Sequence, residues 1–374
     1  MKKLVFFTLL FIAFGTTFAQ KAPLKHTPYP LPDILKNMES VPAKDIAVEE
    51  ILQPKHIEQV GKYTIVGSSQ SEDIFSIYTS PGFKHYISFG KKGEGPDDFL
   101  SVDALNIGVY DATTFYTLKR TIKDPAYRLF QIKDGKVSHR ENIPQIAGKS
   151  IVGSPVKGIE IWTKRTADSF TIYSCSSKDR ETVIDTARSM RLGYNAREDG
   201  SRYVHNKPMV YHGNGMIALS YYQLARIDLY SVNSKGKIEY VGGFGDTNLT
   251  DTREDVTTTP GKMVSAGDGI YRMVGGKTRM TPSPERYSDV FIGSKYIYGV
   301  YICRENAIMI NGGNKAYIHV FDRKGNPIKA FLLDADVNFP VHLSIEAESG
   351  TAYGHNTKID FDYVKTFDMG SRLP

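Results

Sequence analysis

Basic side chains recur in loops predicted to share one face of the molecule, and they are the leading candidates for chemistry. Aromatic residues lie beside several of them. Cationic groups gathered at one end of a protein focus a positive potential there, and aromatic rings add contact surface for charged or sugar ligands. The pattern predicts a site for an anionic or glycan-bearing ligand. The candidate residues are Lys91, Lys92, Lys119, Arg120, Trp162, Lys164, Arg165, Tyr221, Tyr222, Arg226, Arg304 and Lys358.

Catalytic signatures are absent from the sequence. It contains no G-x-S-x-G elbow, no H-E-x-x-H motif, no C-x-x-C pair and no correctly spaced calcium loop. The loop from Gly90 to Pro96 lacks the Gly-Lys-Ser/Thr ending of a phosphate-binding loop, so we interpret it as a tight crossover that needs positive φ. Tyr203-Val204-His205 with Tyr211-His212 is the only local histidine cluster, and ordinary surface or core roles are expected for it.

We therefore predict a non-catalytic module that binds a ligand or a protein, with no catalytic residue, no metal ligand and no cofactor. The alternative is an enzyme, a metal-dependent hydrolase or lactonase. Such a protein gathers carboxylates from several repeats around a central metal ion, so no local motif would reveal it. A divalent cation held in a central channel by carboxylates from three or more repeats would distinguish the two hypotheses.

The elements that position these loops are short strands joined by tight turns. Three segments align as a strand, a turn with glycine and a returning strand, because glycine readily takes the positive φ that such turns need. They span 127–137, 227–238 and 317–328. Two weaker copies turn near Gly82 and Asp179.

These turns recur about every 50 residues, with one longer interval that contains an insertion at about 247–287, and such a period is typical of a β-propeller with four strands per blade. A sixth unit, with strands at 350–354 and 359–367, ends without a returning strand. An unpaired edge is an aggregation hazard, so we expect Asp45 to Leu52 to supply the missing strand. The prediction is an all-β, six-bladed β-propeller of four antiparallel strands per blade over residues 45–374, closed by an N-terminal strand and preceded by a lead segment at 20–44.

One glycine-rich segment resembles the F-G-x-x-G-x-G-P-x-x-F junction of TolB-like six-bladed propellers from exported bacterial proteins. It reads Phe89-Gly90-Lys91-Lys92-Gly93-Glu94-Gly95-Pro96-Asp97-Asp98-Phe99. The segments 296–301 and 318–328, the latter with its trailing 332–334, are also similar to that family, and the resemblance covers residues 45 to 370. It implies a propeller fold and an exported location. It implies no settled activity, because a fold by itself does not specify one.

The N-terminus has the three parts of a secretory signal. Lys2 and Lys3 precede an apolar run at 4–14, and small residues follow up to Ala19. We predict a cleavable signal peptide at 1–19. Because no cysteine stands just after the cleavage site, no lipid anchor is expected, and the mature protein is predicted to be periplasmic or secreted.

The composition is ordinary for a globular protein. The chain is 41% hydrophobic and 24% charged, with a net charge of +6. A dedicated nucleic-acid binder is usually more strongly basic, so no nucleic-acid partner is predicted. No later segment is apolar for long enough to span a membrane, and a monomer is expected. Cys175 and Cys303 lie in strand-like apolar contexts and are expected to be buried free thiols, although sequence cannot exclude their pairing.

Overall fold

The computed structural model describes most of the chain outside the predicted signal peptide at 1–19 and several loops. The residues it describes are 26–27, 32–48, 53–68, 70–93, 98–100, 107–119, 125–146, 148–165, 170–188, 194–196, 202–204, 208–221, 224–245, 262–267, 270–274, 286–302, 314–337, 343–356 and 363–374.

Three short strands and one helical turn precede the blades, and they are β1 (His26–Thr27), α1 (Asp33–Lys36), β2 (Glu39–Pro42) and β3 (Lys44–Ala47). Blade 1 consists of β4 (Pro54–Val60), β5 (Tyr63–Ser68), β6 (Asp73–Thr79) and β7 (Lys84–Lys91). Blade 2 consists of β8 (Ile107–Asp111), β9 (Thr114–Lys119), β10 (Ala126–Lys133) and β11 (Lys136–Pro144). Blade 3 consists of β12 (Lys149–Val156), β13 (Ile159–Arg165), β14 (Phe170–Ser176) and β15 (Asp179–Arg188).

A hairpin of β16 (Tyr194–Ala196) and β17 (Arg202–Val204) comes next, then blade 4 with β18 (Pro208–Gly213), β19 (Met216–Tyr221), β20 (Leu224–Val232) and β21 (Ile238–Gly245). A second hairpin, β22 (Lys262–Gly267) and β23 (Ile270–Val274), lies inside the predicted insertion. Blade 5 has β24 (Arg286–Ile292), β25 (Tyr296–Ile302), β26 (Asn314–Asp322) and β27 (Pro327–Val337). Blade 6 has β28 (Leu343–Glu346), β29 (Thr351–Gly354) and β30 (Tyr363–Asp368), and a 3₁₀ turn follows at Gly370–Arg372.

The six blades close into a ring, which confirms the predicted fold. The first strand of each blade contacts the first strand of the next, and the contact between β28 and β4 completes the circle. β3 pairs antiparallel with β30 as the outer strand of blade 6, with Ile46 opposite Val364. The N-terminal strand thus removes the open edge that blade 6 would otherwise present. The closing strand begins at Lys44 and ends at Ala47, five residues before the predicted end.

The lead segment also reinforces the outer edges of two other blades. β1 pairs parallel with β21 of blade 4, and β2 pairs parallel with β27 of blade 5. Leu35 of α1 is buried among apolar side chains of those two blades. Glu39 of β2 contacts Lys329 and Arg372 at 2.6 Å each. The lead is therefore tied into the sheet edges rather than standing apart from them.

Strands in the interior of the blades are buried on both faces because each blade packs between two neighbours. β5 and β19 are buried at every position, whereas the outer strand β11 is largely exposed. Continuous apolar runs are typical of strands buried in this way. The core is accordingly divided into clusters between successive blades, and Phe75, Phe115 and Phe130 lie together between blades 1 and 2.

The predicted hairpins are the third and fourth strands of the blades. The segments 127–137, 227–238 and 317–328 pair antiparallel as predicted. Gly135 and Gly325 have φ of +73° and +86° in the turns, a backbone conformation that glycine adopts without steric cost.

The glycine-rich junction leads from blade 1 towards blade 2. Phe89 and Phe99 flank the ring of Phe75, with centroids 6.2 Å and 5.2 Å away. The Phe99 N–H donates to the Lys91 carbonyl at 3.0 Å, and Gly90 has φ of +91°. The spacing of Phe89 and Phe99 in this junction thus places two aromatic side chains in the core between the blades. Residues 94–97 lie outside the described residues.

Candidate functional site

The predicted basic loop set divides into exposed, buried and undescribed residues. Four side chains are exposed, and they are Lys91, Lys92, Lys164 and Arg165. Three are buried, and they are Trp162, Tyr221 and Arg226. The rest lie outside the described residues, and they are Arg120, Tyr222, Arg304, Lys358 and the side chain of Lys119, whose backbone ends β9.

Trp162 is part of a buried polar network instead of a ligand-facing loop. Its side chain is 1% exposed, and its Nε1 donates to Glu160 Oε2 at 3.0 Å. The fully buried Glu160 carboxylate also accepts hydrogen bonds from Tyr110 Oη at 2.6 Å and from Arg180 Nε at 2.9 Å. Since its polar atom is already bonded inside the protein, Trp162 does not contribute to an exposed binding surface.

Tyr221 and Arg226 are likewise used inside blade 4. Both side chains are fully buried, and so is Asp228, to which both are hydrogen-bonded. Tyr221 Oη donates to Asp228 Oδ2 at 2.6 Å, and Arg226 Nη2 donates to Asp228 Oδ1 at 2.7 Å. A buried charge is retained when it is paired in this way, so the predicted surface role does not suit these two residues.

The four exposed cations lie on one face of the ring. Lys91 ends the fourth strand of blade 1 and Lys92 follows it, and Lys164 and Arg165 end the second strand of blade 3. In an antiparallel blade the ends of the second and fourth strands point to the same face, so these residues define a basic rim there. The basic rim consists of these four residues.

A cavity of about 950 Å³ occupies the centre of the ring. The first strands of all six blades line it, together with the turns between first and second strands in blades 1, 2, 4 and 6. Those turns lie on the face opposite the basic rim. Pockets that bind small ligands commonly measure about 300 to 1,000 Å³, so this cavity is large enough for one.

His56 and Glu58 of β4 contribute polar groups to the cavity wall. His56 Nε2 lies 3.3 Å from Glu58 Oε2, and the Gln59 N–H donates to Glu58 Oε1 at 3.2 Å. The other ring nitrogen, His56 Nδ1, is buried and has no hydrogen-bond partner among the described residues. Buried polar atoms are nearly always bonded, so this atom marks a place where a further group fits.

Asp289 of β24 lines the same cavity from blade 5. Burial, and next the negative charge of Glu58, raise the pKa of Asp289 well above its usual value, while the hydroxyls of Ser288 and Tyr211 act in the opposite direction. Its Oδ2 atom is buried and has no partner within the part of the chain that the structure describes. Asp289 therefore holds its proton more tightly than an exposed aspartic acid does, and its Oδ2 is a polar atom without a partner.

His212 of β18 is held in a fixed orientation in the wall. Its Nε2 lies 3.0 Å from the Val109 carbonyl oxygen, and because a carbonyl only accepts, this nitrogen carries the proton. Burial lowers the pKa of His212, so the ring is neutral. A Cβ atom on Gly153 would overlap the imidazole, which explains glycine at that position of β12. Nδ1 of His212 is buried and lacks a partner among the described residues.

The other carboxylates of the cavity are held by fixed donors. Each accepts a hydrogen bond from a neighbouring group: Asp111 from the Thr113 N–H at 2.8 Å, Glu346 from the Ser349 N–H at 2.8 Å, and Glu348 from Asn214 Nδ2 at 2.9 Å. They shape the mouth of the cavity. A carboxylate oxygen can accept more than one hydrogen bond, so Glu58, which accepts one from the Gln59 N–H, and Asp289, whose Oδ2 has no partner among the described residues, can both accept from a ligand.

No group of three or more His, Cys, Asp or Glu side chains in the described ranges is arranged to hold a metal ion. Cys175 is a buried free thiol, and burial raises its pKa to about 11. It is therefore protonated and unreactive at neutral pH. Cys303 lies outside the described residues.

The binding residues predicted from the sequence include none of the cavity residues, and Tyr211 and His212, which line the cavity, were expected to have ordinary surface or core roles. Glu58, Tyr211 and Asp289 each lie on the first strand of a blade, which is the strand nearest the centre of the ring. His56 and Glu58 stand two positions apart and so share a face of their strand. Polar residues at alternate positions of a first strand are the signal that could have identified them.

Comparisons with known proteins support the fold. No family model and no curated protein matches the sequence. A member of the DUF4221 family from Bacteroides vulgatus superposes with a TM-score of 0.50 at 8% identity, over 87% of this chain and 95% of that one. A Bacteroides fragilis protein thought to be exported gives 0.48 at 11% identity, over 92% and 97%. TolB from Acinetobacter baumannii gives 0.33 at 12% identity, over 82% and 63%.

The superposition on the DUF4221 protein bears on the fold alone, and it agrees with the six-bladed propeller predicted from the spacing of the turns, which the closed ring of blades confirms. Membership of the TolB-like family stays a prediction. No helix among the described residues is both long enough and apolar enough to cross a membrane.

Proposed function

We propose that this chain is an exported binding module that holds a small ligand in its central cavity and does not catalyse a reaction on it. The observation that carries this proposal is the cavity of about 950 Å³ at the centre of the ring. Its wall contains buried polar atoms of His56, His212 and Asp289 that have no partner among the described residues. A buried polar atom without a partner costs about 1 to 3 kcal/mol, which a bound ligand or water recovers.

The signal-peptide pattern at 1–19 supports a location in the periplasm or outside the cell. The module would work there as a monomer and without a cofactor. A protein partner instead of a small molecule would need to insert a side chain or a loop tip into the same cavity, because the polar groups without partners lie in its wall.

A side chain that fills the mouth of the cavity is expected to abolish ligand binding. Ala112 lines the mouth in the turn after β8 and is exposed, so Ala112→Trp adds bulk there without disturbing a packed core. Compounds from a small-molecule library that raise the melting temperature of the wild type should leave that of Ala112→Trp unchanged. The measurement is a thermal-shift screen of both proteins.

The matched control is Ser138→Trp, which adds the same bulk on the exposed outer strand β11. It should respond to compounds as the wild type does. If the same compounds stabilise Ala112→Trp and wild type equally, the ligand binds elsewhere and the cavity is not the site.

The basic rim supports a second candidate function, the binding of an anionic or glycan ligand on the opposite face. This second function is supported by the exposure of the four side chains of the basic rim on that face, which are Lys91, Lys92, Lys164 and Arg165. Arg120, Arg304, Lys358, Lys119 and Tyr222 belong to this proposal as predicted neighbours.

Charge reversal in the rim is expected to weaken binding of an acidic glycan. The double substitution Lys164→Glu with Arg165→Glu should lower the affinity for alginate oligosaccharides by about tenfold, since it replaces attraction by repulsion. Lys133→Glu with Lys136→Glu, at an exposed turn of the other face, is the control for net charge. Alginate affinity that is the same in both double variants would contradict the rim as a site.

A further inference from the structure

Two carboxyl groups face one space from different blades. Glu58 belongs to β4 of blade 1 and Asp289 to β24 of blade 5, and both line the cavity. The charge of Glu58 acts on Asp289, on Tyr211 and on His212. Glu58, Tyr211, His212 and Asp289 all line this one cavity. Lys62 is the one lysine or arginine among the described residues of the lining, against five acidic side chains.

Aromatic side chains complete the wall beside these carboxyl groups. Tyr116, Tyr211 and Phe291 come from blades 2, 4 and 5. Aromatic faces attract cations within about 6 Å of the ring centroid. Carboxyl groups flanked by aromatic rings form a setting that suits a cationic group and disfavours an anionic one.

We propose that the central cavity takes a ligand with a protonated amino group, which binds between Glu58 and Asp289. This inference rests on the proposed function and assigns the chemical class of its ligand. An alkylammonium group donates three hydrogen bonds, and Glu58, Asp289 and the acceptor nitrogen His212 Nδ1 provide acceptors of the required kind.

Ligand binding is coupled to a proton on Asp289. The titratable groups that act on the pKa of this residue are Glu58 of β4 and Tyr211 of β18, and the hydroxyl of Ser288 on its own strand lowers it. Glu346 of β28 lines the same cavity, but its carboxylate is taken by the backbone. An ammonium group beside Asp289 favours the ionised form of its carboxyl group, so binding is expected to release a proton and affinity is expected to rise as the pH increases towards the pKa of Asp289.

The test uses three probes of equal chain length in titration calorimetry with the full mature protein. They are 1,5-diaminopentane, the neutral 1,5-pentanediol and the anionic glutarate, with calcium chloride as a fourth. The diamine should bind the wild type at least ten times more tightly than the diol or glutarate. Glu58→Gln and Asp289→Asn keep the shape of each side chain and should each weaken diamine binding at least tenfold.

Asp134→Asn removes an exposed carboxylate from a turn outside the cavity and should bind the diamine as the wild type does. Titrations in two buffers of different ionisation enthalpy should give a proton release that Asp289→Asn eliminates. These readouts separate a role in binding from a general effect on folding, which circular dichroism of each variant monitors.

Diamine affinity that is unchanged in Glu58→Gln, or no diamine binding at all, would overturn the amine assignment. Calcium binding that both carboxyl variants abolish, with no diamine binding, would replace it by a metal site. If the diol or glutarate binds the wild type but not Ala112→Trp, the cavity is a ligand site and only the amine class is wrong. Diamine binding that persists in Ala112→Trp would instead contradict the proposed function itself.

Discussion

Replacing Glu160 by alanine is expected to lower the free energy of unfolding by about 3 to 5 kcal/mol, because it removes one partner of a buried ion pair. Glu160 is fully buried, and its carboxylate accepts hydrogen bonds from Tyr110, Trp162 and Arg180. Arg180 also reaches Glu141 at 3.0 Å. The substitution leaves three donors of two adjacent blades without their common acceptor.

The network joins blade 2 to blade 3, so the loss acts on the packing between blades as well as on one strand. Tyr110 lies on β8 and Glu141 on β11, both in blade 2. Glu160 lies on β13 and Arg180 on β15, both in blade 3. Urea unfolding followed by far-UV circular dichroism measures the change. Glu239→Ala, on the exposed side of β21, is the control and should change stability by no more than about 0.5 kcal/mol. A Glu160→Ala variant as stable as that control would contradict the assigned role of the network.

Substitution of His319 by phenylalanine is expected to make the protein less sensitive to acid. Burial lowers the pKa of His319 from 6.5 to about 3, and its Nε2 has no hydrogen-bond partner among the described residues. Tyr287 Oη lies 3.0 Å from Nδ1, and the ring stacks on Tyr301. The buried surroundings of His319 favour the neutral imidazole ring over the protonated imidazolium ring.

The direction of the pH effect follows from proton binding. Between pH 6.5 and about 3 the unfolded chain protonates this histidine while the folded chain does not, so stability contributed by the neutral ring is lost as the pH falls through that window. One pKa unit corresponds to 1.36 kcal/mol, so the loss amounts to about 4 kcal/mol over the window. His319→Phe removes this contribution because phenylalanine does not titrate.

The measurement is the free energy of unfolding at several pH values from 7 to 4 for wild type and His319→Phe. The difference between the two should shift in favour of the variant as the pH falls. His139→Gln, at an exposed histidine, should keep the wild-type dependence. Parallel curves for wild type and His319→Phe would show that His319 does not resist protonation in the folded state.

The blades were predictable because their signals are local. A hairpin such as 127–137 shows apolar and aromatic strand residues on both sides of a glycine turn, and Gly135 takes the positive φ that this pattern requires. The closing strand was predictable from a different argument, since a sixth blade short of one strand needs a partner. The pairing of β1 with blade 4 and of β2 with blade 5 was not predictable, because strands of two and four residues are too short to show an alternation of apolar and polar side chains.

The candidate site was less predictable because it depends on distances between blades. Trp162 looked like a loop residue, but Glu160 stands two positions before it and shares its face of β13, which makes a buried contact natural. Arg226 and Asp228 have the same spacing on β20. In contrast, Glu58 and Asp289 are far apart in the chain, and the closure of the ring alone brings them to one cavity.

A crystal structure of the protein soaked with 1,5-diaminopentane would show directly whether the cavity at the centre of the ring binds the ligand, as we propose. We expect electron density for the diamine inside the cavity, with one amino nitrogen within about 3.2 Å of carboxylate oxygens of Glu58 and Asp289, about the limit for a hydrogen bond. Density for the diamine only on the outer surface, with the cavity containing water alone, would contradict it.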